Sequence, residues 1–343
     1  MNLVELYKRF KPSYYQSLKD LTVHVGMLSS TIYAMWYTKE SYMSYALVPL
    51  LSLLNTKSFA ILHHCGHYNF IPNKKLNYII GTIMGINVLT PFCWTYDHTN
   101  HHLISGNKEN KIKENQNHSI FHTFKHYERM NIIKKYLYKI VRQPFIFNTI
   151  FSTIVFMIIH RFHILFLKIS KNLYNQSVST ILSDTIFNNI MICIQLYYIN
   201  SIGLLGLYII SVILFSTIGF LMFHNQHTFN KPYVITDKEW TKENSGLKGS
   251  SFIQLPKWLA FFFYGEQYHH VHHMLASIPP YHLKEAHEYL EKTEPDFKNI
   301  VKLSMNDCYH NIWLTLYDEE ADRYISFKEA DDKIKNKLLL KDE

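Results

Sequence analysis

Long apolar runs separated by short polar connections set the pattern of this chain, at residues 21–38, 43–62, 76–94, 145–167 and 186–223. A helix rises about 1.5 Å per residue, so roughly 20 apolar residues cross the ~30 Å hydrocarbon core of a bilayer. Several runs approach that length, and the pattern predicts an all-α integral membrane protein. The first two runs form a hairpin across Thr38-Lys39-Glu40-Ser41-Tyr42, which returns the chain to its starting side at residue 63. A second pair, 145–167 outward and about 204–222 inward, returns it again, with 186–200 as a partial segment on the far side. Residues 1–20 read as a polar, basic N-terminal segment with no cleavable signal, and residues 21–282 as the membrane domain. Within that domain Lys231 to Ser251 is polar, and Trp258 to Tyr264 is an aromatic stretch too short to span, suited to the headgroup level. Residues 283–343 carry mixed charge and read as a cytoplasmic helical cap and tail.

Composition agrees with a membrane setting: 48% of residues are hydrophobic and 15% aromatic, while the charges are gathered into a few segments. A formal charge of +8 raises the question of nucleic acid, but the basic residues sit beside the apolar runs. Lys108, Lys111, Lys113, Lys125, Arg129, Lys134, Lys135, Lys139 and Arg142 fill one connection, which the positive-inside rule places in the cytoplasm against membrane lipids. No nucleic-acid partner is expected. Four cysteines, Cys65, Cys93, Cys193 and Cys308, form no CxxC pair and read as reduced thiols.

The candidate chemistry lies in four short histidine clusters: His63-His64-Cys65-Gly66-His67, His98-Thr99-Asn100-His101-His102, Gln226-His227 and His269-His270-Val271-His272-His273. Side chains at i, i+3 and i+4 share a helix face, so each cluster can aim its imidazoles at one point. Eight or nine such ligands exceed what one tetrahedral ion uses, and two metals fit better. All-nitrogen ligation suits iron, copper, nickel or zinc; a polar centre beside lipid favours iron with oxygen, for which hydrocarbon is at hand. Isolated histidines such as His24, His160 and His163 read as interfacial or hydrogen-bonded side chains. If the clusters act together they lie on one side of the membrane. The run 76–94, with Gly81, Gly85, Pro91, Asn77 and Asn87, therefore cannot cross and reads as re-entrant or interfacial. About four transmembrane helices then deliver the histidines, in a di-metal cap, and both termini to the cytoplasmic face.

These residues resemble the membrane fatty acyl desaturases, in particular the Δ12 (omega-6) and related acyl-lipid desaturases. His63-x-Cys65-Gly66-His67 is similar to their first histidine box and His98-x-x-His101-His102, preceded by Trp94, to the second. Gln226-His227-Thr228, Glu239-Trp240 and His269-x-x-His272-His273 followed by Ser277-Ile278-Pro279-Pro280-Tyr281-His282 resemble the rest in order and spacing. The resemblance implies metal ligands at His63, His67, His98, His101, His102, His269, His272 and His273, with His227 a ninth. It also implies two nonhaem iron ions, molecular oxygen as co-substrate, a fatty acyl lipid substrate and a separate electron donor, cytochrome b5 or ferredoxin. In a eukaryotic host the membrane would be the endoplasmic reticulum.

One departure stands out. The family carries Asp or Glu after the first histidine of box one, and this chain has His64. A carboxylate there would orient a ligand imidazole. Asp97 and Glu266 are the candidate replacements, and His64, His224 and His270 the histidines expected to support the ligands from behind. The same centre also serves hydroxylases, acetylenases and conjugases. A histidine-rich metal transporter or metal-binding protein is the reading from another class; it predicts ionisable residues along a path inside the spans, whereas the clusters sit at span ends.

Overall fold

The computed structural model describes residues 3–107, 122–161, 177–236 and 238–340. His163, Lys108, Lys111, Lys113 and the end of the 145–167 run lie outside them. After α1 (Leu3–Arg9), the Ser13 hydroxyl accepts from the Gln16 N–H and opens α2 (Tyr14–Tyr37). The chain reverses at residues 38–42 and continues through α3 (Met43–Ala46) and α4 (Val48–Gly66). Contacts of α2 with α4 and the loop after it fix their antiparallel order: His24 Nε2 meets Ser58 Oγ at 2.8 Å, and Ser17 Oγ donates to Phe70 O, just beyond α4, at 2.6 Å.

Helix α5 (Lys74–Asn87) starts where the Asn73 side chain accepts from the Leu76 N–H, and it runs back along α4. Its 14 residues reach about 21 Å, and the chain then climbs beside it. A side chain at Gly85 would collide with Thr90 O, one at Gly81 with Phe92 Cε2, and one at Gly66 with Thr95 Cβ. Residues 88–93 thus retrace the path of α5, and α6 (Trp94–Ile104) begins at the end of the bundle where α4 finished. The 76–94 run enters the bundle and returns to the same end.

The second long hairpin joins α7 (Val178–Ser201) to α8 (Leu205–His227) through Gly203, whose φ of 79° suits glycine. Gly203 lies against Lys39, so both hairpin turns share the end of the bundle opposite α6. The start of α7 is at the other end, where Tyr78 OH donates to Asp184 Oδ1 at 2.6 Å. This differs from the expectation, which paired 145–167 with 204–222 and left 186–200 as a partial segment. Asp184, Thr185 and Asn188 lower the hydropathy of α7, but they are buried against protein while Leu182, Ile186, Phe187 and Ile190 face outward. The segment Ile146–Ile159 contains π-helical turns at Ile146–Phe151 and Val155–Ile159 and packs Phe147 on Phe220 and Phe156 on Phe215. It reaches inward to Arg161, which donates to Leu89 O at 2.8 Å.

Among the described residues, Met43–Gly66 and Leu205–His227 are long and apolar enough to cross a membrane. A third candidate, Ile132–Val141 with Ile146–Ile159, is bent by 67°. Helices α2 and α7 have 24 residues each, about 36 Å, but carry inward polar side chains that lower their hydropathy. Those groups find partners inside. Asn87 Nδ2 donates to Asn55 Oδ1 at 3.0 Å and Ser58 Oγ at 3.1 Å, and Asn55 Nδ2 donates to Ser211 Oγ at 3.2 Å. Paired in this way, polar atoms tie α4, α5 and α8 together inside the bundle.

The C-terminal part adds short strands to an otherwise helical fold. β1 (His122–Thr123) pairs in parallel with β4 (Leu316–Asp318), which pairs antiparallel with β5 (Arg323–Ile325). β2 (Ser251–Ile253) pairs in parallel with β3 (Val301–Leu303). The cap is therefore stitched to segments on both sides of α7 and α8. Trp258, in the helix Lys257–Phe263, is 64% exposed, as an interfacial aromatic would be.

Candidate metal centre

The histidine clusters meet where α4, α6 and α8 end and where α9 (His269–Met274) lies across them. At the end of α4, His63 and His67 are one turn apart; the close contact of Gly66 with Thr95 brings α6 down beside them. Trp94 stacks on His98 with ring centres 5.0 Å apart and interplanar angle 17°. His227 is the last residue of α8, held by its Nδ1–H donating to Gly249 O at 3.0 Å.

Two groups of nitrogens result. His63, His67, His98, His102 and His272 form one, and His101, His227, His269 and His273 the other, each with ligand atoms within 4.8 Å of one another. The groups adjoin: the rings of His102 and His273 stack at 4.1 Å. The structure thus brings together the nine histidines singled out in the sequence, and every group draws on more than one cluster.

The proton accounting favours a metal over a hydrogen-bond network. His98 Nε2 and His102 Nε2 are 2.9 Å apart, while His227 Nε2 lies 3.0 Å from His101 Nε2 and 2.9 Å from His269 Nε2. Nitrogens bound at ~2.1 Å to one ion sit about 3.0 Å apart at right angles and about 3.4 Å apart at the tetrahedral angle. Moreover, Nε2 of His63, His67, His272 and His273 is buried without a hydrogen-bond partner. Orphaned buried nitrogens are costly unless a further group satisfies them. Burial and neighbouring imidazoles push His98, His102, His272 and His273 well below the usual histidine range, so their lone pairs are free of protons near neutrality. The donor set fits two first-row metal ions, iron among them.

The supporting residues divide. Glu266 Oε1 lies 2.6 Å from His63 Nδ1 and 3.4 Å from His64 Nε2, and Oε2 lies 4.0 Å from His269 Nδ1. Burial alone would raise the Glu266 carboxyl, but the His63 and His64 imidazoles hold it well below the usual carboxylate range. His64 also meets Asn69 Oδ1 at 3.1 Å through Nδ1. The other candidates stand apart from both groups. His224 Nε2–H donates to Asn311 O at 2.8 Å; His270 Nε2 pairs with His287 Nδ1 at 3.0 Å among Phe252 and Phe297. Asp97 is half-buried on α6 and belongs to neither group.

Asn69 and Ser105 join the site although the sequence did not single them out, and Gln226, which stood there only as part of a motif, gains a partner. Asn69 donates to Ala276 O at 2.5 Å and Ile278 O at 2.9 Å, locking the loop after box one to the loop after box three. Gln226 Nε2 donates to Glu266 O at 2.9 Å, and Ser105 Oγ is 3.4 Å from His227 Nδ1. Gln226 and Ser105 sit next to or near box residues, which is the one signal that pointed to them.

A family model for fatty acid desaturases matches residues 40–301. A "Fatty acid desaturase" of Bacillus subtilis (strain 168) is 30% identical over 277 residues, covering 80% of this chain and 74% of the relative. A "Delta(9) fatty acid conjugase-like enzyme" of Dimorphotheca sinuata is 25% identical over 287 residues, 75% of this chain and 69% of the relative. An "sn-1 oleoyl-lipid 12-desaturase" of Picosynechococcus sp. is 24% identical over 298 residues, 82% of this chain and 80% of the relative.

Proposed function

The chain belongs to the fatty acid desaturase family, a family of membrane oxidoreductases, and from that premise we propose that it introduces a cis double bond into a fatty acyl chain at a nonhaem di-iron centre, with Δ12 (omega-6)-like regiochemistry. The observation that carries this reading is the convergence of nine imidazoles into adjoining groups of five and four. His63, His67, His98, His102 and His272 hold one iron, and His101, His227, His269 and His273 hold the other. When bound, the iron pair supplies the oxygen-dependent redox chemistry. Two hydrogens leave the acyl chain and dioxygen ends as two waters, which takes two further electrons and two protons. The electrons come from a separate donor, cytochrome b5 or ferredoxin.

The chain's own residues bind, orient and exclude water. Neutral imidazole lone pairs face inward, and the cluster is capped by α9 and the loops behind it. On the bundle side, Trp94 lies over His98, Phe59 is 4.6 Å from Trp94, and Phe156 is 5.2 Å from Phe59, ring centre to ring centre. This aromatic wall runs from the five-nitrogen group into the apolar bundle, and it suits a methylene chain held in register beside the metals.

The topology that accommodates this has four spans, α2, the α3–α4 rod, α7 and α8, with the histidines and both termini cytoplasmic. Its support is that both hairpin turns meet at the end of the bundle away from the imidazoles, while Lys125, Lys134 and Lys135 lie in the segment that packs into the histidine-side cap. A conjugase, hydroxylase or acetylenase outcome at the same centre is the second reading, favoured by the similarity to a conjugase-like enzyme.

Expression in yeast with mass spectrometry of total acyl chains tests the reading. New cis double bonds that vanish with His272→Ala support it, and hydroxylated chains alone would reject it.

A further inference from the structure

The acid that reaches the box-one imidazoles comes from 203 residues away along the chain. We propose that Glu266 is the positioning carboxylate of the five-nitrogen group, and that His64 and Glu266 are a matched pair in which a neutral imidazole stands against a single negative charge. This rests on the reading of the nine imidazoles as ligands.

Glu266 hydrogen-bonds one group and lies near the other. Through Oε1 it accepts from His63 Nδ1–H, which leaves the buried, unpartnered His63 Nε2 to face the five-nitrogen group. Through Oε2 it lies 4.0 Å from Nδ1 of His269, whose Nε2 belongs to the four-nitrogen group. A hydrogen bond behind a ligand imidazole fixes its tautomer and ring angle.

The backbone that delivers Glu266 is built for the purpose. Tyr264 (φ 49°) and Gly265 (φ 96°) are consecutive left-handed residues, and a Cβ on Gly265 would meet Pro280 O at 2.7 Å. This corner is held from three sides. Tyr264 OH donates to Asp20 Oδ2 at 2.7 Å. Lys57 Nζ, buried in α4, lies 3.6 Å from the Phe261 ring centre and 4.7 Å from that of Tyr264. Gln226 Nε2 donates to Glu266 O, coupling the corner to the residue before His227. Backbone strain of this kind persists where the surroundings over-determine it.

The pairing with His64 follows from charge. Its Nε2 stands 3.4 Å from Glu266 Oε1, and both side chains are largely enclosed, at 0% and 14% exposure. An acid at position 64 would set a second carboxylate against the first in a buried site, where like charges exclude each other. One acid at either position satisfies the centre; two do not.

The test is a double-mutant cycle on the full-length protein in lipid nanodiscs, loaded with iron and read by bound metal and by Mössbauer spectrum. Glu266→Gln is expected to lower metal affinity about 10- to 100-fold and alter the spectrum. His64→Glu alone should also weaken retention, whereas His64→Glu with Glu266→Gln should recover most of it. Glu266→Asp, which keeps the charge, should fall between wild type and Glu266→Gln and separates positioning from misfolding. Wild-type metal content and spectrum in Glu266→Gln would overturn the proposal, as would additive losses in the double variant. Because metal and not product is read, a chain that holds metal but makes no double bond would defeat the desaturase reading and leave this result standing.

Discussion

His272 has both ring nitrogens buried without a hydrogen-bond partner, and the rings of His63, His67 and His102 stand 4.5, 4.8 and 4.6 Å from it. A shared cation would satisfy one of those nitrogens together with those of the neighbouring imidazoles. His272→Ala should therefore reduce bound iron from about two ions per chain toward one and abolish product, by elemental analysis and mass spectrometry of the same preparation. Eight of the nine histidines were legible because i, i+3 and i+4 spacing is a local property of sequence, and His227 stood out by its place at the end of an apolar run and by the family resemblance. Glu266 stood in the sequence only as one candidate acid beside Asp97: what distinguishes it from an ordinary surface acid is the left-handed corner at Tyr264 and Gly265, which depends on Pro280, Asp20 and Lys57 far along the chain. The missing acid at position 64 was the clue that one had to arrive from elsewhere.

Between elements, close backbone approach matters more than side-chain identity. Gly66 lets α4 and α6 touch at Thr95, and this contact sets box one against box two. Gly66→Ala should push the helices apart, lower unfolding stability by about 1–3 kcal/mol and reduce metal retention, measured by thermal denaturation and metal content. Asn87→Ala strips partners from Asn55 and Ser58 in the bundle interior and should cost about 1 kcal/mol in the same assay, with metal content unchanged. The return of the 76–94 run could be inferred from parity, since a single crossing would have separated two histidine clusters. Helix α7 was obscured because hydropathy averages over all faces. Its Asp184, Thr185 and Asn188 are hidden against protein, and the outward residues are the apolar ones.

At the scale of the whole molecule, two long hairpins turn at one end of the bundle and a C-terminal cap closes over the other, so the metals would bridge segments from residue 63 to residue 273. A ligand that binds only the folded state stabilises it by mass action. Chelation should therefore lower the unfolding temperature by several degrees and reloading with iron should restore it; an unchanged midpoint would mean the centre contributes nothing to folding. Desaturation goes beyond metal binding. Its most direct test is mass spectrometry of acyl lipid incubated with the purified, iron-loaded protein in nanodiscs, with oxygen and a reducing donor supplied. Acyl chains lighter by one pair of hydrogens are expected, formed only when both oxygen and donor are present. Unaltered chains from a preparation shown to hold two irons, or chains heavier by one oxygen atom, would contradict it.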